Sequence, residues 1–477
     1  MQARGSLKLK DGSEEIKVCA ERAEDSCRPV QITSPERRAG LSGRVEAFLV
    51  RHRARFGGVH AAMAVVFLAL VAIPVFFPFP ADDDTAFTNI QLLARFFIWG
   101  LWFPLMFLSV VLFGRLWCGV LCPQGALSEF MSRRGLNRPI PRWMRWKGLP
   151  IASFVIVTIF GQLVGVRDYS LAALEVLGGM MLLAALTGFI YTKDRRAWCR
   201  HLCPAGPLLG VFSRLGAVGI DKNGGAGTSA ACPTFINTQT KASSSNCIAC
   251  MRCVNPGSES TLKLKLRRPG REIEEIGKRE PEIWEVLFLF GATGLALGAF
   301  HWQANPIYIA FKQGIGNILL GLGLGDFIGG SGPWWVMANY PQAGEVFNWL
   351  DFISISSFML LGLSAALAVL FALTSASALL AYGRNTTLKR VAELGYLYAP
   401  VALISIVIGL GQMLFQSLGG LGLAEASVRS IQMAFFAGGA LWSVYLAYRI
   451  SGRLGLHLVP SIAGVGFVAW AWKVVIF

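Results

Sequence analysis

The sequence predicts an all-α integral membrane protein of about nine transmembrane helices, with a small cytoplasmic segment inserted between the fourth and the fifth. Of its 477 residues, 54% are hydrophobic and 12% are aromatic, and the mean hydropathy is +0.52. In addition, apolar runs of roughly 20 residues, the length that crosses about 30 Å of hydrocarbon, recur along the chain. Lipid is therefore the expected solvent of most of this protein.

Nine apolar runs are long enough to cross a membrane. A further apolar stretch, residues 314–335, is so rich in glycine that we expect a re-entrant or interfacial segment there, which leaves the count open by one or two. The predicted spans are 57–79, 93–114, 149–166, 171–191, 283–301, 352–380, 395–416, 430–448 and 456–476.

Basic residues flank these spans on one side only. The N-terminal segment and the 115–147 loop are rich in arginine, and the 193–281 loop carries fifteen Lys and Arg residues. Because such loops stay in the cytoplasm, the pattern predicts a bacterial inner-membrane protein with a cytoplasmic N-terminus and a periplasmic C-terminus. The net charge of +16 then reflects topology and contact with anionic membrane lipid, and no nucleic-acid partner is expected.

The cysteines are confined to the first 253 residues and fall in or beside the predicted cytoplasmic segments. Thiols stay reduced there, so clusters of them indicate a metal rather than disulfides. The ten cysteines are Cys19, Cys27, Cys118, Cys122, Cys199, Cys203, Cys232, Cys247, Cys250 and Cys253.

The sharpest motif is the C-x-x-C-x-x-C triad formed by Cys247, Cys250 and Cys253. This spacing is typical of a loop that wraps three corners of an iron-sulfur cube. The usual C-P continuation is missing, and Cys232 is the nearest candidate for the fourth ligand. A structural zinc site is the competing interpretation, although such sites favour paired C-x-x-C units.

A second pattern occurs twice, as WCGVLCPQG around Cys118 and Cys122 and as WCRHLCPAG around Cys199 and Cys203. Helical residues four apart share a face, so each pair can present two thiolates in one direction. The proline after each pair favours a turn and then a new helix, such as an amphipathic surface helix from residue 123.

Two such pairs on the same side of the membrane supply four thiolates, and the eight cysteines from 118 to 253 then match two 4Fe-4S clusters. Three alternatives stay open. First, the pairs could be small apolar side chains that only fill space at a helix end. Second, they could cycle between dithiol and disulfide. Third, Cys122 or Cys203 could complete the triad in a crossed arrangement, because in two-cluster ferredoxins the cysteine before proline ligates the other cluster.

These motifs resemble the NapH, NosR and MauN group of membrane polyferredoxin-like proteins, which has copper-oxidase assembly proteins of the CcoG type as relatives. The resemblance covers residues 57–257. It implies a ferredoxin-like segment and electron transfer between the quinone pool and a periplasmic reductase or its maturation pathway. This sequence departs from the family pattern in two ways: its single ferredoxin motif has a displaced fourth ligand, and it has no large flavin domain of the NosR kind. Residues 283–477 show no resemblance that we recognise.

The pattern divides the chain into four parts: a flexible basic arm over 1–55, a four-helix membrane unit over 56–215, a ferredoxin-like segment over 216–281 and a second membrane unit over 282–477. We expect an electron-transfer component of an oxidoreductase system, with no catalytic side chain of its own. An assembly or redox-sensing factor and a transporter regulated by clusters are the alternatives.

An exchange of electrons with a quinol would need a binding pocket for it. Arg95, Glu175 and His301 fall toward the far ends of their predicted spans and are candidates for a quinone headgroup site, with interfacial placement as the alternative. No C-x-x-C-H motif is present for a c-type haem, and the five histidines form no suitable pair for a b-type haem. A periplasmic redox partner completes the expected path.

Overall fold

The computed structural model describes residues 3–8, 14–18, 28–32, 41–81, 83–222, 231–254, 262–303, 305–420 and 424–476. These residues are mostly helical, as predicted. The helices are α1 Leu41–His52, α2 Phe56–Ala72, α3 Ile90–Arg95, α4 Phe103–Phe113, α5 Pro123–Ser132, α6 Leu149–Val164, α7 Ser170–Ala173, α8 Gly179–Ile190, α9 Ala197–His201, α10 Ala205–Ser213, α11 Arg271–Glu274, α12 Ile283–His301, α13 Pro306–Gly321, α14 Gly325–Gly329, α15 Trp349–Tyr382, α16 Leu388–Gly395, α17 Ala399–Leu410, α18 Gln412–Gly420, α19 Glu425–Ser451 and α20 Leu458–Ile476.

Three small antiparallel sheets accompany the helices in the described ranges. The first has the order β1-β2-β3, the second pairs β4 with β5, and the third pairs β6 with β7. The strands are β1 Ala3–Lys8, β2 Glu14–Val18, β3 Arg28–Ile32, β4 Val218–Lys222, β5 Leu262–Leu266, β6 Asn339–Tyr340 and β7 Glu345–Val346. The first sheet and α1 lie in the range predicted as a flexible arm, and Glu46 of α1 accepts the amide of Leu264 in β5 at 2.6 Å.

Seven helical segments in the described part of the chain are long and apolar enough to cross a membrane, by length and composition alone. Two shorter apolar helices, Leu149–Val164 and Leu458–Lys473, also coincide with predicted spans. These helices indicate a membrane protein, while a count of nine spans stays a prediction. The seven long segments are Leu41–Phe76, Ile90–Phe113, Ser170–Ile190, Ile283–His301, Trp349–Asn385, Leu388–Leu410 and Glu425–Ser451.

The glycine-rich stretch 314–335 does not form one long helix. Helix α13 ends at Gly321, and the short α14 follows from Gly325. Apolar side chains of this region, among them Ile318 and Leu320, are more than half exposed. An interfacial or re-entrant placement of the stretch stays a prediction.

The two halves of the chain share one core. Met106 and Phe107 of α4 belong to the same buried cluster as Leu403 and Ile406 of α17. From Val391 to Leu410 the chain is buried almost throughout, so this segment lies at the centre of the bundle. The first and second membrane units therefore form one packed body.

Helices α12 and α15 cross closely because both carry a glycine at the contact. A Cβ atom on Gly294 would lie 2.2 Å from the carbonyl oxygen of Gly362. Gly294 and Gly298 form a G-x-x-x-G pattern, the small-residue spacing that lets membrane helices approach each other. This crossing fixes the start of the second membrane unit against its longest helix.

A buried ion-pair network anchors residues 216–281, which we call the cysteine-rich segment. Glu272 is fully buried and pairs with Arg267 at 2.8 Å and with Arg214 at 3.4 Å. Its carboxylate also accepts the amide of Ser244 at 2.9 Å. Burial alone would raise the pKa of Glu272, but the two guanidinium groups and this amide hold the pKa below its usual range. The network thus ties the start of the cysteine triad loop to α10 and α11.

We expect Glu272→Gln to lower the free energy of unfolding of the cysteine-rich segment by about 3 kcal/mol at neutral pH, because it leaves buried arginines without their counter-charge. Because the folded pKa is depressed, the carboxylate stabilises the fold above its unfolded pKa of about 4.3, and this stabilisation is lost as the pH falls through the folded value. Thermal unfolding of the detergent-solubilised protein at several pH values measures both effects.

The matched control is Glu425→Gln, which alters an exposed carboxylate at the start of α19. Equal stability of Glu272→Gln and the parent protein at neutral pH would contradict the role assigned to the network.

Candidate metal centre

The two cysteine-pair motifs fold alike. In each, the amide of the second cysteine donates to the carbonyl oxygen of the tryptophan five residues earlier, from Cys122 to Trp117 at 2.8 Å and from Cys203 to Trp198 at 2.9 Å. This bond closes a wider turn than the α-helical turn that the spacing predicted. The proline then introduces a new helix as predicted, with Pro123 as the first residue of α5.

The four cysteines of these motifs face one space. A cavity of about 250 Å³ is lined by Cys118, Cys122, Cys199 and Cys203. Burial raises the pKa of Cys122 to about 11 and that of Cys203 to about 12, and in both cases the charge of neighbouring thiols of this set adds to the rise. Burial also raises the pKa of Cys199 well above its usual value. We call these four cysteines the first thiol group.

The glycine two residues after each proline leaves room for this convergence. A Cβ atom on Gly125 would lie 2.9 Å from Sγ of Cys199, which belongs to the other motif. A Cβ atom on Gly206 would lie 3.3 Å from the carbonyl oxygen of Cys199. The repeated C-P-x-G sequence is therefore explained by close packing around the first thiol group.

Two buried N–H groups at this cavity have no hydrogen-bond acceptor among the described residues, namely Nε of Arg115 and Nε1 of Trp198. Their side chains are almost completely buried. Buried donors normally have a partner, and the sulfur atoms of an iron-sulfur cluster accept hydrogen bonds. The lining of the cavity therefore fits such a cluster.

The other four cysteines form a second thiol group: Cys232, Cys247, Cys250 and Cys253. Burial, together with the charges of Cys247, Cys250 and Cys232, raises the pKa of Cys253 to about 12. Burial likewise raises the pKa of Cys250 to about 11. Thr234, two residues after Cys232, donates to the carbonyl oxygen of Asn246 at 3.0 Å, so Cys232 lies near the start of the triad loop. Its role as the fourth ligand stays a prediction.

The backbone of the triad loop is shaped for wrapping a compact group. Ala249 and Met251 both have positive φ, at 51° and 61°. Left-handed residues are uncommon outside glycine, and their alternation with right-handed ones turns successive amides toward one side, which makes a concave site for anions. The loop therefore suits an anionic cluster at the second thiol group.

The two thiol groups are neighbours. Gly119, inside the first motif, packs against the triad loop so closely that a Cβ atom there would lie 2.2 Å from the carbonyl oxygen of Ile248. Nη1 of Arg115 also donates to the carbonyl oxygen of Ser245 at 2.5 Å. The first motif is therefore in direct contact with the loop that carries Cys247 and Cys250.

A buried arginine connects the groups further. Arg196 is 2% exposed. It donates to the carbonyl oxygen of Cys118 at 2.7 Å and pairs with Glu129 at 2.8 Å. Burial tends to lower the pKa of Arg196, but the charges of Cys199, Glu129 and Cys250 raise it. Its positive charge thus acts on both thiol groups.

Sequence reasoning did not single out Arg196 or Glu129. For Arg196 a signal existed, because an arginine stands three residues before the first cysteine in both motifs, as Arg115 and Arg196. Glu129 gave no such signal. It lies on the inward side of α5, where it pairs with Arg133, Arg196 and Arg252, although a surface helix would be expected to point its carboxylates outward.

The zinc and crossed-ligand alternatives fit these positions less well. A zinc ion with Zn–S bonds of about 2.3 Å would bring its four sulfurs within about 4 Å of one another, and in the described ranges no three His, Cys, Asp or Glu side chains are placed to hold one metal ion. Cys122 and Cys203 both line the first cavity. Cys19 and Cys27 lie outside the described residues.

The three candidates for a quinone headgroup site have separate surroundings. Arg95 pairs with Asp168. Nε2 of His301 contacts the carbonyl oxygen of Ala471 at 3.1 Å. Glu175 has a buried carboxylate oxygen without a partner in the described residues. They form no shared pocket among the cavities that we find, so this placement of a quinone site gains no support.

Comparison with known proteins agrees with the cysteine geometry. Residues 96–147 and 173–223 match the family model of a 4Fe-4S binding domain. These two stretches contain both cysteine-pair motifs, while the match does not extend to the triad. The chain therefore contains a 4Fe-4S binding domain of the ferredoxin-like kind, and membership of the NapH, NosR and MauN group stays a prediction.

Two curated proteins are similar over part of the chain. One, from Escherichia coli (strain K12), bears the name "Putative electron transport protein YccM" and is 26% identical over 230 residues, which is 41% of this chain and 64% of that protein. The other, MJ0749 of Methanocaldococcus jannaschii, is uncharacterized and is 27% identical over 169 residues, 31% of this chain and 63% of that protein. The chain thus covers less than two thirds of either relative. No solved structure matches.

Proposed function

We propose that this chain is a membrane-bound iron-sulfur electron-transfer protein that carries two 4Fe-4S clusters. The first thiol group would hold one cluster and the second thiol group the other. The observation that carries the proposal is the cavity lined by the four cysteines of the two repeated motifs, against which the triad loop packs through the contact between Gly119 and Ile248. The name of the Escherichia coli relative supports the same role.

The residues around the thiols perform the tasks that such a protein needs. A 4Fe-4S cluster accepts and releases a single electron, at a potential set by net charge, hydrogen bonds and solvent exposure. Arg115 and Arg196 place buried positive charge beside the thiols and so stabilise their ionised form. The aromatic side chains of Trp102, Phe103 and Phe107 line the first cavity and make that part of its wall apolar.

We place the protein in the bacterial inner membrane, with the N-terminus and both thiol groups in the cytoplasm and the C-terminus in the periplasm. The one-sided distribution of Lys and Arg supports this topology. Electrons would then pass between the quinone pool or a cytoplasmic donor and a periplasmic acceptor or reductase. Quinone binding and the periplasmic partner rest on the family resemblance rather than on a described pocket.

Stopped-flow reduction tests the proposal. The anaerobically purified protein is mixed with a water-soluble quinol analogue, and the bleaching of the iron-sulfur absorbance is followed. We expect reduction within the time of catalytic turnover, together with rereduction of the clusters after each addition of an artificial electron acceptor. A Cys118→Ala variant, which keeps the triad, should lose part of the absorbance change.

The alternatives give different results. Reduction that is slow, combined with a maturation defect of another metalloenzyme in a deletion strain, would identify an assembly or redox-sensing factor. A colourless protein without acid-labile sulfide, or clusters that no quinol or low-potential donor reduces, would end the electron-transfer proposal.

A further inference from the structure

A large pocket lies beside the second thiol group, between α2, α5 and the triad loop. Its volume is about 640 Å³, within the range of pockets that bind small molecules. Cys250 and Arg252 form one wall, and the junction of α1 and α2 around Arg53 forms another. None of the roles assigned above uses this space.

The pocket carries an excess of positive charge. Arg53, Arg133, Arg196 and Arg252 line it, whereas Glu129 is its single carboxylate. Glu129 already pairs with three of these arginines, at 2.8 Å for both Arg133 and Arg196. Arg53 forms no ion pair within the described part of the chain. Arg133 also pairs with Asp194 at 3.3 Å. Four guanidinium groups against these two carboxylates, Glu129 and Asp194, leave a formal charge of +2 around the mouth of the pocket, and Arg53 is the arginine without a counter-charge among the residues that the structure describes.

A groove continues from this charged mouth along the apolar surface of α2. Gly57, Ala61 and Ala64 line the pocket and lie four and three residues apart, so they share one face of the helix. Their small side chains leave space opposite Leu127 and Phe130 of α5. The side chain of Phe130 is 50% exposed, although Ser128 and Glu129 of the same helix are buried. The groove is therefore apolar and open.

We infer that this pocket binds an anionic phospholipid, with the phosphate of the headgroup near Arg53 and Arg133 and an acyl chain in the groove along α2. Guanidinium groups bind phosphate through paired charge-assisted hydrogen bonds, and basic pockets between membrane helices take anionic headgroups. The inference rests on the membrane placement of the proposed function. The bound lipid would be a specific ligand that the pocket selects by its charge, in contrast to the bulk lipid around the helices.

Lipid binding to the full-length protein tests the inference. The protein is purified in a neutral detergent and titrated with phosphatidylglycerol or with phosphatidylcholine of the same acyl chains, and native mass spectrometry measures the retained lipid. We expect one tightly retained phosphatidylglycerol per chain and weaker binding of phosphatidylcholine. Arg53→Gln should lower the affinity for phosphatidylglycerol about fivefold, the effect of one basic residue near a headgroup.

The chain offers a matched control. Arg51→Gln removes the same charge two residues away, from a side chain that does not line the pocket, and it should leave the affinity unchanged. A second variant, Ala61→Leu, fills the groove and should weaken both lipids while sparing the preference for the anionic one.

Equal retention of the two lipids by the parent protein would overturn the inference, and so would equal losses in Arg53→Gln and Arg51→Gln, which would indicate nonspecific attraction. Iron content is measured on every sample. Lipid selectivity in a protein that lacks iron would leave this inference standing while the proposed function fails.

Discussion

Cys118→Ala is expected to lower the iron content from about eight to about four atoms per chain, and Cys250→Ala is expected to do the same, because each removes one ligand from a different 4Fe-4S cluster. Cys118 lines the first cavity, and Cys250 belongs to the second thiol group. Iron and acid-labile sulfide analysis on anaerobically purified protein measures the loss. Low-temperature EPR of the reduced protein should show one signal in place of two, and a different one in each variant.

The Cys27→Ala variant is the matched control, because Cys27 lies outside both thiol groups of the proposal, and its iron content should equal that of the parent protein. Four iron atoms in the parent, unchanged by Cys118→Ala, would contradict a cluster at the first thiol group. Identical EPR signals in the two single variants would contradict the division of the cysteines into these two groups.

Gly119→Ala should displace the triad loop and lower the iron content of the second thiol group. The added Cβ atom would lie 2.2 Å from the carbonyl oxygen of Ile248 and 3.2 Å from the amide nitrogen of Cys250. Both neighbours are backbone atoms that cannot rotate away, so we expect a cost at the upper end of the 1–3 kcal/mol that overpacking typically causes. Thermal unfolding and iron analysis after anaerobic reconstitution measure the effect.

Gly438→Ala provides the control, since a Cβ atom at that helical glycine would meet nothing within 4 Å. It should leave both iron content and unfolding temperature close to those of the parent. A Gly119→Ala protein with full iron content and unchanged stability would contradict the direct contact between the first motif and the triad loop.

Local patterns in the sequence were enough to predict the mostly helical fold and the 4Fe-4S binding domain. Each predicted span coincides with an apolar helix because the length and hydropathy of a span are properties of adjacent residues. The assignment of Cys232 as the fourth ligand of the triad rests on its position in the sequence and stays a prediction. The repeated C-P-x-G sequence pointed to a pair of like sites, and the structure shows the reason in the approach of Gly125 to Cys199.

Contacts between distant residues could not be predicted in the same way. The pair between Glu129 and Arg196 joins residues 67 positions apart, and the hydrogen bond from Arg115 to Ser245 joins residues 130 positions apart. Neither contact can be read from the periodic spacing of neighbouring residues in the sequence. Placing Arg95, Glu175 and His301 in one site required knowledge of how the far ends of three spans pack together. In the structure Arg95 pairs with Asp168, and His301 contacts the carbonyl oxygen of Ala471.

The position of residues 391–410 at the centre of the bundle bears on the unrecognised second half of the chain. A fragment ending near residue 281 would expose the faces of α4 and α10 that now meet α17 and α12. Such a fragment would contain every cysteine but would lack the helices against which α4 and α10 pack. Residues 282–477 therefore stabilise the cysteine-containing half of the chain by packing against it. Expression of that half alone should yield insoluble or proteolysed protein.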